Sequence, residues 1–217
     1  LQVKLFIDAE ESWIQNSIDL LAYEMMEKFN KNSVIIYNTF QMYRVDMLGN
    51  LTNAIKSAKD QQYYLGVKLV RGAYLEKERQ RSHEENYSEP LHKNKHDTDR
   101  DFNAAVDLCL HNLETVYFCV GTHNEESCIH LCDKMKKLSL SNNHKQIYFA
   151  QLLGMSDNIS YNLAHFGYNV AKYVPYGPIE SVMPYLFRRA EENSSIAGQT
   201  SREFALIKKE VNRRKLI

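Results

Sequence analysis

Near the end of the chain two arginines stand side by side, Arg188-Arg189, with Tyr185 one helical turn before them and Glu192 one turn after. On a helix, Glu192 falls at i+4 from Arg188 and i+3 from Arg189, so these side chains share a surface. Adjacent guanidiniums repel each other, and a small carboxylate that occupies their planar forks relieves the repulsion. Alone, such a pair reads as a solvated helix face, because exposed charge is the default. A second set of residues argues for the clamp. Asp8, Gln41, Arg71-Gly72, Thr122-His123-Asn124 and Gln151 each close a short apolar run, and all suit a polar ligand.

Those runs are strands, and what separates them is helical. Val3–Ile7, Val34–Tyr37, Tyr64–Val70, Val116–Val120, Ile147–Ala150 and Val170–Val174 are short, apolar and rich in β-branched or aromatic residues. Between them apolar residues recur at spacings of three and four. Examples are Ile14, Ile18, Leu21, Met25 and Phe29, then Met47, Leu51, Ile55 and Ala58, then Phe102, Val106, Cys109 and Leu113. Further helices are expected over Cys128–Leu138, Ile159–Phe166, the arginine stretch and Arg202–Arg214. Glu76–Arg100 breaks this rhythm. It carries dense charge of both signs and Pro90, and reads as a helix running into a mobile excursion. Alternating strand and helix predicts a parallel sheet with helical crossovers, in which ligands sit at the C-terminal strand ends. Six such units do not close an eight-stranded barrel, so either the sheet is open or two units are missing.

Composition narrows the functional classes. The 217 residues hold 27 Lys+Arg and 27 Asp+Glu, a balance without a nucleic-acid footprint. No apolar run reaches the ~20 residues of a membrane span. Glycine-rich nucleotide fingerprints are absent, both the Gly-x-Gly-x-x-Gly and the Walker A type. Cys128 and Cys132, at helical spacing beside Leu131 and Met135, read as core rather than as metal ligands, and no metal site is expected. The chain starts at Leu1 inside an apolar run, with no targeting segment and the look of a protein interior.

Several stretches carry a resemblance over essentially the whole chain. They are Lys68-Leu69-Val70-Arg71-Gly72-Ala73-Tyr74, Tyr173-Val174-Pro175-Tyr176-Gly177 and the Tyr185–Asn193 helix. Asp8-Ala9-Glu10, Asn38-Thr39-Phe40-Gln41, Thr122-His123-Asn124 and Gln151-Leu152-Leu153-Gly154-Met155 accompany them. In order and spacing they resemble proline dehydrogenase (proline oxidase), in its eukaryotic, mitochondrial form. The resemblance implies an α/β (βα)8 TIM-like barrel of which residues 1–217 hold the last six units, with the final helix over the barrel mouth. The first two strands, and a substrate-side lysine of the second, have no counterpart here. It also implies FAD-dependent oxidation of L-proline to 1-pyrroline-5-carboxylate, a quinone electron acceptor, and a mitochondrial location peripheral to the inner membrane. The basic, amphipathic C-terminal helix is compatible with membrane contact, and its pattern favours plain packing on the domain.

Residue roles follow from that resemblance. Arg188 and Arg189 match the pair that binds the substrate carboxylate, Tyr173 and Tyr185 the aromatic walls, and Leu153 an apolar contact. Gln41, Lys68, Val70, Arg71, Gly72, Thr122, His123, Asn124, Gln151 and Glu192 match cofactor positions. Gly72 would allow close backbone approach to the ligand, and Arg71 would lie near the pyrophosphate. Lys68 stands where bacterial members carry an arginine beside the reactive flavin nitrogen. Asp8 matches an active-site acid whose role is to hold the missing lysine, so it is expected to lack that partner; its alternative is an N-cap-like residue. Tyr173, where hydroxyproline dehydrogenases have serine, favours proline. Two other functions stay open: a hydroxyproline dehydrogenase, and a non-catalytic α/β domain that binds a small carboxylate. Whether the segment folds or is active alone also stays open.

Overall fold

The computed structural model describes residues 3–195 and 199–215; the side chains of 188–195, 199–203 and 206 are outside the described set. Two compact units divide at Tyr173/Val174. The first runs β1 (Leu5–Ile7), α1 (Ser12–Phe29), β2 (Ile36–Gln41), α2 (Met47–Asp60), β3 (Leu65–Val70), α3 (Leu75–Glu84), α4 (Lys95–Leu110), β4 (Val116–Gly121), α5 (Glu125–Lys137), β5 (Ile147–Leu152), α6 (Asp157–His165) and β6 (Val170–Tyr173). The second holds α7 (Ile179–Ser195), with Pro184 inside it, and α8 (Gln199–Lys215), which is in contact with α7.

All six strands are parallel and their spatial order is their chain order, β1 to β6. Parallel crossovers are right-handed, so a sequential order places successive helices on the same face, as in a barrel. A doubly wound sheet instead reverses its order at a switch point. The fold is therefore α/β, a half-barrel of six βα units. One apolar cluster joins the helices to that face. It takes Met26 from α1, Leu51 and Ile55 from α2, Phe102 and Val106 from α4, and Leu131 and Met135 from α5. Leu65, Val67, Leu69, Phe118, Val120 and Phe149 of the strands complete it. Burying each such side chain contributes about 1.5–3 kcal/mol. Asparagine side chains start two of the helices: Asn94 accepts from Asp97 N at α4, and Asn124 from Ser127 N at α5, both at 2.9 Å.

Three sequence expectations change. β2 runs on through Gln41, so Asn38-Thr39-Phe40-Gln41 is strand and not strand end. In α1 the fully buried residues are Gln15, Ala22 and Met26, while Ile14, Leu21 and Phe29 are exposed. The helix is apolar on more than one side, and periodicity alone does not choose between sides. Glu76–Arg100 is a helix, a connector and the start of another helix. Its connector is bonded to the loop after β2 through Val45 N to Pro90 O (3.0 Å), His92 N to Tyr43 O (2.7 Å) and an Arg44–Leu91 bridge. Leu91 is buried, so this segment has an apolar anchor that its charge density hides. The four cysteines are free; Cys128 belongs to the core cluster and Cys132 packs against it, as their spacing suggested, and Cys109 is in the cluster too. Among the described residues no helix is long and apolar enough to cross a membrane.

Candidate active site at the C-terminal strand ends

The pleat sends alternate residues to opposite faces of the sheet. The face turned away from the helix cluster carries a different chemistry, and register arranges it in rows. In the deepest row Phe6 lies opposite Tyr37, and their rings stack at 4.6 Å. The next row reads Thr39, Lys68, Cys119 and Tyr148 across β2 to β5. Lys4, before β1, reaches into this region and donates to Tyr148 Oη at 3.2 Å. The next row outward begins with Gln41 paired to Val70, and continues through Gly121, Ala150 and Ala171 in register, with Leu152 and Tyr173 paired one row beyond it. It therefore passes from a polar side chain to three residues with little or no side chain. A β-carbon on Gly121 would meet Val70 Cγ1 at 3.1 Å and Leu69 O at 3.3 Å, so a side chain there would have to push its neighbours aside.

Asp8, just past β1, forms an ion pair with Lys68 of β3, spanning Thr39 between them. The lysine that the resemblance assigns to Asp8 belongs to a strand without counterpart here; Lys68 pairs with Asp8 in this chain, because both lie in the same row. Nor is Asp8 the N-cap of α1, a position taken by Glu11. The Lys68 side chain is 18% exposed and that of Asp8 54%, so the pair stands at the rim and not in the core.

Arg71 is the hub of the neighbouring strand ends. Its Nε donates to Asp99 of α4 at 2.7 Å, Nη1 to Thr122 at 2.6 Å and Nη2 to Ser127 of α5 at 3.0 Å. Its guanidinium lies over the Phe102 ring at 4.4 Å. One side chain thereby ties the end of β3 to the end of β4 and the starts of two helices. Burial acts to raise the Asp99 pKa, but the hydrogen bonds from Lys95 and Arg71 outweigh it and hold the carboxyl below the usual range. Sequence reasoning missed Asp99 and Ser127, since each sits inside a helix with no motif around it.

The remaining candidates divide into two groups. Gln41 donates to Glu10 O at 2.7 Å and accepts from Ala73 N at 3.2 Å, which joins the loops after β1 and β3. His123 shares a 3.0 Å hydrogen bond with Ser156 of the next loop. Leu153 donates its N–H to Tyr173 O, so the two residues sit side by side at the ends of β5 and β6, both exposed. Gln151 is different: it is buried, donates to Thr122 O at 3.1 Å and accepts from Ser160 at 2.9 Å. The Asn124 side chain caps α5. Gly72 has φ of +139°, where a side chain is strained, and the group packed against it is the Tyr43 ring, 2.4 Å from where a β-carbon would be. Its close neighbour is thus a side chain of the same chain. Arg188, Arg189 and Glu192 fall on α7, and their side chains lie outside the described residues. Tyr185 is on α7 too and is half-buried.

Two further positions had no sequence signal as site residues, Ala150 and Ala171. Their significance is the row they complete, which only strand register reveals. Glu10 and Tyr74 were likewise passed over, though Tyr74 Oη donates to the Glu10 carboxylate. Among the described residues no group of three or more His, Cys, Asp or Glu is placed to hold a metal ion.

Known proteins share this arrangement. The profile of the proline dehydrogenase family matches residues 1–202. "Proline dehydrogenase 1, mitochondrial" of Homo sapiens is 40% identical over 215 residues, which cover 98% of this chain and 36% of that protein. Its namesake in Drosophila melanogaster is 36% identical over 224 residues, 99% of this chain and 33% of that protein. A hydroxyproline dehydrogenase of Xenopus laevis is 36% identical over 217 residues, 98% of this chain and 47% of that protein. The chain thus spans about a third to a half of the length of these relatives. Among solved structures, proline utilization A (PutA) from Bdellovibrio bacteriovorus, inactivated by N-propargylglycine, superposes with a TM-score of 0.82 at 23% identity. The match covers 90% of this chain and 20% of that one. A bifunctional PutA superposes at 0.79, with 22% identity, 90% of this chain and 20% of that one. Six sequential parallel strands, a polar rim at their C-terminal ends, and agreement from residue 1 to residue 202 lead to one statement: this chain belongs to the proline dehydrogenase family.

Proposed function

We propose that this chain forms the larger part of the catalytic barrel of a mitochondrial, FAD-dependent enzyme that oxidises L-proline to 1-pyrroline-5-carboxylate and passes electrons to a quinone, peripheral to the inner membrane. The observation that carries the reading is the inner row that runs from Gln41 to Ala171. Gln41 and Val70 give way to Gly121, Ala150 and Ala171, a floor without protruding side chains, with Lys68 one row deeper. A planar ring system fits such a floor, and the donors around it are of the type that hold a flavin: an amide, an ammonium, a hydroxyl and an imidazole. When bound, the flavin supplies the two-electron acceptor for the carbon–hydrogen bond beside the ring nitrogen.

The chain's own residues would act as follows. Lys68, held in place by Asp8, sets a positive charge at the rim, where an electron-rich group is stabilised by a fixed cation. Thr122 and His123 line the end of β4, kept in position by Arg71 and Ser156. Arg71, with three hydrogen bonds inside the protein, shapes the cofactor end of the site as a hub. Arg188 and Arg189 are assigned the substrate carboxylate, Tyr173, Tyr185 and Leu153 the walls around the ring, and Glu192 a contact to an arginine or the cofactor. These assignments rest on the family pattern. Gln151 and Asn124 support the rim from behind.

The test is optical. The purified protein is expected to carry flavin absorbance that proline bleaches. A colourless protein that still binds proline would replace this reading with that of a carboxylate-binding α/β domain.

A further inference from the structure

The helix α3 is held to the rest of the protein in an unusual way. Its sequence, Leu-Glu-Lys-Glu-Arg-Gln-Arg-Ser-His-Glu, is almost entirely polar, and the residues it buries are Glu78 and Ser82. Such a helix has no apolar stripe with which to dock. Four of its positions, 74, 77, 78 and 81, fall on one face at spacings of three, one and three. They meet four consecutive residues at the start of α1. Tyr74 Oη donates to the Glu10 carboxylate, and Lys77 Nζ donates to Glu11 at 2.8 Å. Glu78 accepts from Ser12 N at 2.6 Å and from Ser12 Oγ at 2.7 Å. The Arg81 guanidinium lies over the Trp13 ring at 4.7 Å.

Glu78 is the centre of this clasp. It is 0% exposed, and it takes the place that a side-chain cap would hold, since Glu11 makes no capping hydrogen bond to α1. An acid at a helix N-terminus is favoured by the unpaired N–H groups and the helix dipole. Here it comes from another helix, so capping α1 also fastens α3. The clasp then bears on the rim. Glu10 O accepts from the Gln41 amide, Gln41 accepts from Ala73 N, and Tyr74 follows directly. The last residue of β2 and the loops after β1 and β3 are joined in one closed ring of hydrogen bonds.

We propose that Glu78 is a positioning residue: it holds α3 on the start of α1 and so fixes Tyr74 and the Gln41 amide at the β1–β3 side of the rim. Releasing the clasp opens that side of the site to solvent. The effect on substrate rests on the proposed proline oxidation; the mechanical coupling of α3 to residues 8–13 does not.

Amide hydrogen exchange on the full chain tests the coupling without any ligand. With Glu78→Ala, exchange is expected to rise about tenfold, as for one lost charged hydrogen bond, over both 75–84 and 8–13, while α5 stays as protected as in the parent. Glu78→Gln should fall between the two. If exchange rises only in the first turn of α1, Glu78 is a local cap and the proposal is wrong. Should Glu78→Ala unfold, Lys77→Ala with Arg81→Ala removes the exposed half of the clasp without emptying a buried position. Faster exchange over 75–84 and 8–13 is expected there also, and an unchanged pattern overturns the proposal. In an active preparation Glu78→Gln is expected to raise the KM for proline with kcat within about twofold, whereas Glu84→Gln, exposed on the same helix, changes neither. An unchanged KM overturns the positioning role. Failure of the unmodified protein to respond to proline would count against the reading of the site, and the exchange pattern would still decide the coupling.

Discussion

The two faces of the sheet are built from the same six strands and do opposite work. Toward the helices stand Leu65, Val67, Leu69, Val116, Phe118, Val120 and Phe149, buried in one continuous cluster. On the other face stand Tyr37, Thr39, Lys68, Cys119, Tyr148 and Lys4, with an ion pair at the rim and a floor of Gly121, Ala150 and Ala171. Apolar burial stabilises the first face, where a lost methylene leaves a cavity. The second contributes less to stability and holds its groups in defined places. Cys119 shows the difference well. It is a buried thiol pushed up to about 12 by desolvation, so it is inert, yet it sits in the same row as Lys68.

The contrast can be broken in graded steps. The largest effect on stability is expected from Phe118→Ala on the helix side, a loss of about 3–5 kcal/mol read by chemical denaturation. Tyr148→Ala on the inner face should cost clearly less, and equal costs would abolish the distinction. Lys68→Met is expected to leave the denaturation midpoint near that of the parent and to weaken proline-dependent flavin reduction about tenfold or more, the worth of one charged hydrogen bond. A large loss of stability with flavin chemistry intact would reverse the assignment. Ala150→Leu fills the floor while leaving the helix-side cluster untouched; flavin content after purification should fall with the fold retained by circular dichroism. Full flavin content in that variant would remove the floor from the site.

Two smaller effects probe the rim. The Asp99 carboxyl is held below its usual range, so its contribution to stability is present above its unfolded value of about 4 and is lost as pH falls through the lower, folded value. The melting temperature of the parent should exceed that of Asp99→Asn at pH 7, and the gap should close on acidification. A gap that stays constant to pH 3 would mean that the charge of Asp99 does not matter. Tyr173→Ser, at the exposed end of β6, is expected to gain activity on hydroxyproline with little change in stability. Assays on both substrates in an active preparation check this, and the absence of any gain would leave Tyr173 without a role in specificity.

What could be read from residues alone follows from the same division. Strands and helices were legible because burial on the helix face repeats with the backbone period, as in Val116–Val120 and in Met47, Leu51, Ile55 and Ala58. Polar residues at strand ends stood out against these runs, and Asp8, Arg71 and Thr122 do follow the ends of β1, β3 and β4. What stayed hidden depends on register or on polar docking. Asp8 and Lys68 are 60 residues apart and become partners through a shared row across β2. Alanines at 150 and 171 are unremarkable until they fall beside Gly121. In α3 a buried acid does the docking that apolar residues do elsewhere, so the helix looks solvated in sequence. For α1 the difficulty was the reverse: with apolar residues around much of its circumference, the buried stripe is chosen by β2.

The sequential order of the strands has a consequence for how the protein is made. Each strand pairs with the one before it, so no strand waits for a distant later segment to complete its first ladder. Partners that are neighbours in sequence close shorter loops than distant ones would, and folding during synthesis starts from the N-terminal side. The sheet can grow in the order of translation, β2 onto β1, β3 onto β2, with α3 fastened to α1 once α3 itself has emerged. Chain elongation and sheet assembly then run in the same direction.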